Sequence, residues 1–176
     1  NNRSIIAVGS GMTSSHSQEG RYAKIWKISS EADTLTKTLI FQDTSVHLTH
    51  IIQIKNGNYL VFGIMFLPPA FTNTTVLVLE LDQDFEIIKQ KNISINGYTN
   101  TYVDIVKKFN EEYILVGVLV QGQDYRTLIM KLDHNYDTIC SKIYSYPAPN
   151  QFSTFMDAIF SPDSSLLVAD FNQFGI

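Results

Sequence analysis

Apolar positions in this chain fall in short runs, set off by turn residues and closed by glycine. Asn56-Gly57-Asn58-Tyr59-Leu60-Val61-Phe62-Gly63 has that order, and it returns at Asn110-Glu111-Glu112-Tyr113-Ile114-Leu115-Val116-Gly117. A shortened form, Ser4-Ile5-Ile6-Ala7-Val8-Gly9, lies near the start. An altered one, Asp163-Ser164-Ser165-Leu166-Leu167-Val168-Ala169-Asp170, lies near the end. Gly9, Gly63 and Gly117 stand 54 residues apart, and Ala169 stands where the next glycine would fall, 52 further on. A fixed period of this size marks a repeat architecture.

Overlaying the copies predicts four short strands per period, here a to d. Strand a covers 49–54, 103–109 and 156–160, and strand b is the glycine-closed run. Strand c covers 22–28, 76–81 and 127–132, and strand d covers 35–40, 87–93 and 138–144. Strand b is almost wholly apolar, so both of its faces should be covered. Strand c alternates, as in Ile25/Lys27 and Met130/Lys131/Leu132, which is the half-buried pattern. Strand d carries Lys37, Lys89, Lys91 and Lys142 and suits an exposed edge, where lysine discourages pairing between sheets. No stretch has a helical period, and glycine or proline keeps every run short.

The connections fall into two groups. The a–b turns, such as Lys55-Asn56-Gly57-Asn58, and the c–d turns, such as Asp82-Gln83-Asp84-Phe85 and Asp133-His134-Asn135-Tyr136, are compact and alike. Asn, Asp, Gly and Ser suit tight hairpins. The b–c loops differ: Gly11–Gly20 is polar, Ile64–Thr74 is apolar with Pro68-Pro69, and Gln121–Asp124 is short. The d–a loops 43–48, 94–101 and 145–153 vary too. In an up-and-down meander the b–c and d–a loops emerge at one end, so variation gathers on one side, as in a scaffold with one working face.

Four antiparallel strands per period, with the last one polar, is the sequence form of a β-propeller blade. The segments "YLVFG" and "YILVG", with "LELDQDFEIIKQ" and "MKLDHNYDTICSK", resemble the propeller repeats of exported and surface proteins of bacteria. Phe85 and Tyr136 stand near the place of the glycine usual in such c–d turns. The resemblance implies an all-β segment of blades at 1–47 (incomplete), 48–100, 101–153 and 154–176 (incomplete). It also implies a protein that is secreted, periplasmic or at the cell surface. Propellers close with about four to eight blades. A fragment of a longer chain, or closure with another copy of this one, is therefore expected.

Composition narrows the function classes. With 44% apolar and 17% charged residues among 176, the chain is globular. A net charge of −4 argues against a nucleic-acid partner, which needs a basic surface. Cys140 is the single cysteine, so no internal disulfide forms. An inert packed thiol is the plain reading for it. No apolar run is long enough for a membrane-spanning helix. The chain opens on Asn1 with no signal-peptide pattern, and a processed or excised segment is expected.

Candidate chemistry is sparse. His50, Asp104 and Asp157 lie just inside strand a in successive copies, and strand a lines a propeller's channel. They would there form an axial site able to hold a metal or polarise a ligand. The plainer reading is that each bonds nearby backbone. Aromatics crowd the expected working face: Tyr98, Tyr102, Tyr125, Phe152 and Phe155, with Phe66 and Phe71 on the apolar loop. Such rings stack on sugars or anchor a protein partner, whereas Tyr102 and Phe155 also suit packing between blades. Gly9-Ser10-Gly11 lacks the context of a phosphate loop, and no Gly-x-Ser-x-Gly elbow supports a hydrolase triad. Asn73-Thr74-Thr75 and Asn92-Ile93-Ser94 fit the glycosylation sequon. The expectation is a non-catalytic binding or scaffolding module without a cofactor. Its loop face would meet a protein or glycan. A carbohydrate-active or metal-assisted hydrolase, and a plain spacer, are the alternatives.

Overall fold

The computed structural model describes residues 4–12, 21–29, 34–39, 41, 44–67, 73–109, 112–122, 124–145, 152–161 and 165–173. Among these the protein is all-β, with thirteen strands and no helix. They are β1 (Ile5–Met12), β2 (Arg21–Ile28), β3 (Thr34–Leu39), β4 (Ser45–Gln53), β5 (Tyr59–Leu67), β6 (Asn73–Leu81) and β7 (Ile87–Ile93), then β8 (Asn100–Phe109), β9 (Glu112–Gln121), β10 (Asp124–Leu132), β11 (Thr138–Ser145), β12 (Phe152–Phe160) and β13 (Leu166–Gln173).

The strands form four antiparallel sheets, each ordered as the chain runs: β1-β2-β3, β4-β5-β6-β7, β8-β9-β10-β11 and β12-β13. The chain divides into two compact units, Asn1–Ser94 with the first two sheets and Ile95–Ile176 with the last two. In the first unit, Ala23, Ile25 and Leu39 share one buried cluster with Leu48, Val61, Leu77, Leu79 and Phe85 of the next sheet. In the second, Val116 and Ala158 are buried together, with Ile129, Leu166 and Val168 packed around them.

Strand burial follows polarity. All of Tyr59–Met65 in β5 is buried, whereas β11 is exposed along its whole length. Strand β6 departs from the half-buried pattern read for strand c. Thr74–Leu79 are all buried, because both faces of the β4–β7 sheet are covered there. Strand β4 also begins earlier than predicted. Ser45-Val46-His47-Leu48, read as loop, extends the ladder opposite Phe66–Gly63.

One irregularity recurs. The pairing of β4 with β5 skips Thr49, that of β8 with β9 skips Asp104, and that of β12 with β13 skips Met156. Each is a bulge, one extra residue in the first strand. Across from each lies the glycine position: Gly63 opposite Leu48, Gly117 opposite Val103, and Asp170, rather than Ala169, opposite Phe155. The glycines have a steric reason. A Cβ on Gly63 would lie 2.3 Å from the His47 carbonyl oxygen, and one on Gly117 would lie 1.9 Å from that of Tyr102. Gly63 and Gly117 are thus the spaces into which the bulged backbone presses.

The two described c–d turns share a second device. In the first unit the Asp84 and Glu86 N–H groups both donate to Asp82 Oδ1 at 2.9 Å. The Asp82 N–H donates to the Glu86 carbonyl at 3.0 Å. In the second unit Asn135 and Asp137 donate to Asp133 Oδ1 at 2.8 Å, and Asp133 to the Asp137 carbonyl at 2.9 Å. Phe85 and Tyr136 are the described non-glycine residues with positive φ, 65° and 67°. They hold the left-handed conformation that glycine ordinarily supplies. Their rings are buried, that of Phe85 5.3 Å from Tyr59 and that of Tyr136 5.9 Å from Tyr113. Ring burial offsets the backbone cost, which is of order 1–2 kcal/mol.

Candidate loop-face site

At the loop end of the first unit, β5 runs on to Phe66 and Leu67, both half-buried, and pairs with β6 as far as Asn73. The apolar loop is therefore narrower than 64–74. Its remaining residues 68–72, with Pro68, Pro69 and Phe71, lie outside the described residues. Ser45 Oγ and Thr75 Oγ1, at this end of the sheet, are buried without a hydrogen-bond partner among the described residues. Such atoms ordinarily hold water or a ligand group, because an unmet buried hydroxyl is costly.

His50 sits half-buried just past the first bulge. The Thr49 hydroxyl donates to the Phe62 carbonyl at 3.3 Å, which leaves its oxygen to accept from His50 Nδ1 at 3.0 Å.

The three axial candidates do not hold equivalent register positions. His50 pairs with Phe62 and Asp157 with Ala169, both just after their bulges, whereas Asp104 is itself the bulged residue. Ile105, which pairs with Val116, is the true counterpart of His50. All three first strands carry the bulge; the offset arises because four residues separate the paired Lys108 and Tyr113, where five separate Gln53 from Tyr59 and Phe160 from Leu166. His50 belongs to the first unit, Asp104 and Asp157 to the second. The side chains of Asp104, Asp157, Phe155 and Phe152 lie outside the described residues. Among the described residues, no group of three His, Cys, Asp or Glu is placed to hold a metal ion.

In the second unit Tyr98, one of the aromatics expected on the loop face, gathers two residues that the pattern of the sequence did not single out. Arg126 lies 5.7 Å from the centre of the Tyr98 ring and bonds Asp124, Nη2 to Oδ2 at 2.6 Å and Nε to Oδ2 at 2.8 Å. The Asp124 hydrogen bond first, then Tyr98, holds the guanidinium above its ordinary pKa. Asp124 and Arg126 are two apart on one strand and so share a face. That spacing was the signal available in the sequence. Tyr102, on β8, is exposed, and Tyr125 is half-buried. The cluster presents an aromatic ring capped by a held cation, a surface suited to a polar ligand with a flat apolar side.

No family model and no curated protein matches this chain. No helix among the described residues is long and apolar enough to cross a membrane.

Proposed function

We propose that this chain is a segment of a β-propeller, a non-catalytic binding or scaffolding module. Its b–c and d–a loops meet a protein or glycan partner outside the cytoplasm, in a secreted, periplasmic or surface protein. One observation carries the reading most. The two four-stranded meanders share their c–d turn bond for bond and their bulge residue for residue, while the loops at the other end differ in length and composition. A scaffold kept uniform at one end and varied at the other is what a recognition face requires. Further strands, from a longer chain or another copy, would complete the ring. In the ring His50, Asp104 and Asp157 would line the inner strands, and a hydrolase using them is the second reading. The observation that favours it is the placement of a half-buried His50 on the inner strand, its Nδ1 3.0 Å from the Thr49 hydroxyl.

The loop face is tested by replacing residues 68–72 with the two-residue connection 122–123 of the second unit. Capture of ligands from a glycan array or a panel of extracellular proteins should fall by about tenfold or more, since anchor aromatics dominate such contacts. A thermal melt matching that of the parent chain shows that any loss is one of capture and not of folding. Unchanged capture would place the partner elsewhere.

A further inference from the structure

Both kinds of variable loop in the second unit contribute to the Tyr98–Arg126–Asp124 cluster. Tyr98 comes from the connection between β7 and β8, and Asp124 opens β10 opposite Gln121. Each part is held in place before any ligand arrives. Residues 95–98 close a turn in which the Tyr98 N–H donates to the Ile95 carbonyl at 3.2 Å, with Gly97 at φ +85° at its left-handed corner. The next residue ties this loop to the sheet, because the Thr99 hydroxyl donates to the Val120 carbonyl at 3.2 Å. Arg126 is fixed by Asp124, and both bonds, from Nη2 and from Nε, end on the same oxygen, Oδ2. Oδ1 is left to accept, and the guanidinium keeps further N–H groups to donate. The Arg126 and Asp124 side chains are 36% and 47% exposed and Tyr98 is half-buried, so a ligand can reach all three. In the first unit the matching register positions hold Thr75 and Asn73, which carry no charge. The charged pair therefore belongs to the loops of the second unit and not to the repeat.

We propose that this cluster is a binding site for a neutral sugar of a glycan chain. The inference rests on the loop-face reading and narrows its partner, from protein or glycan, to an uncharged glycan. A sugar ring has an apolar face of C–H groups, which stacks on a flat aromatic ring, and a rim of adjacent hydroxyls, each both donor and acceptor. Tyr98 takes the face. Asp124 Oδ1 and the Arg126 guanidinium take two neighbouring hydroxyls, one donating to the carboxylate and the other accepting from the guanidinium. Charge decides the class of sugar. Asp124 and Arg126 cancel, so the site draws neither a cation nor an anion, and an acidic sugar would meet Asp124 Oδ1 in a chain of net charge −4. Because the turn and the ion pair are already set, little side-chain freedom is lost on binding.

The probes are neutral oligosaccharides of glucose, mannose and galactose, with oligogalacturonate as their acidic counterpart, titrated into the chain by calorimetry. At least one neutral oligosaccharide should bind, with an affinity that salt leaves unchanged. Tyr98→Ala should weaken it about tenfold or more, and Tyr98→Phe should keep it within about threefold. Asp124→Ala removes the acceptor and bares the guanidinium, so neutral binding should fall while oligogalacturonate binding rises about tenfold. A reversal of preference cannot come from lost folding, so this variant carries the test even where Tyr98→Ala fails to fold. The proposal is overturned if no neutral oligosaccharide binds, if the parent chain prefers oligogalacturonate, or if binding ignores both alanine substitutions. Capture of a protein through Tyr98 in place of a sugar overturns it as well, and leaves the loop-face reading standing. The exchange of residues 68–72 tests that face in the first unit, so the two readings fail separately.

Discussion

Gly117→Ala should destabilise the second unit by about 3 kcal/mol or more, the upper range for forcing an atom into filled space. The added Cβ would stand 1.9 Å from the Tyr102 carbonyl oxygen and 3.2 Å from Val103 Cα. Both are backbone atoms, so relief requires β8 to leave β9 at the bulge. For a unit of this size such a loss lowers Tm by more than about 10 °C. Gly63→Ala should behave alike in the first unit, since its Cβ would meet His47 O and Leu48 Cα. Gly97→Ala is the control: φ is +85° but nothing lies within 4 Å, so only the left-handed penalty of about 1 kcal/mol applies. Thermal melts of the three variants decide it. Equal losses at Gly117 and Gly97 would show that the bulge does not press on the glycine.

Phe85→Ala should cost about 3–5 kcal/mol, as for other buried aromatics cut to alanine. Phe85 is 0% exposed and tilted against Tyr59. Its positive φ gives the position a second signature. Phe85→Gly should be more stable than Phe85→Ala by about 1 kcal/mol, because glycine carries no left-handed penalty. Ordinary helix or strand sites rank the two the other way. Denaturant titration of both variants checks the sign. Alanine above glycine would mean that the turn relaxes out of the left-handed region once the ring is gone.

The all-β class and the strand positions were legible because apolar runs, lysine-rich edges and Asp/Asn turns all agreed. Local and global signals seldom conflict in this chain. Strand ends were less legible: Ser45–Leu48 and Phe66–Leu67 continue a ladder, yet they look like loop in a sequence already broken by His47 and Pro68. The bulge was hidden for a different reason. It adds one residue to an alternating pattern, and the β8–β9 turn is one residue shorter than its counterparts, so Asp104 matched His50 and Asp157 by chemistry and not by register. Phe85 and Tyr136 read as a departure from a glycine turn. In the structure they take glycine's conformation and add a buried ring, which no propensity for aromatics foretells. The Tyr98–Arg126–Asp124 cluster was half visible, as a same-face pair on one strand, but the approach of Tyr98 depends on tertiary placement.

The central claim is that successive sheets are related by rotation about one axis, and spin-label distances test it directly. Thr36, Gln90 and Ser141 hold equivalent register positions on β3, β7 and β11, and all three are exposed. In a Cys140→Ser background, the 36–90 and 90–141 distances should agree. The 36–141 distance should exceed either of them but fall short of their sum, as three points on an arc require. Unequal successive distances, or a 36–141 distance equal to the sum, would contradict the propeller.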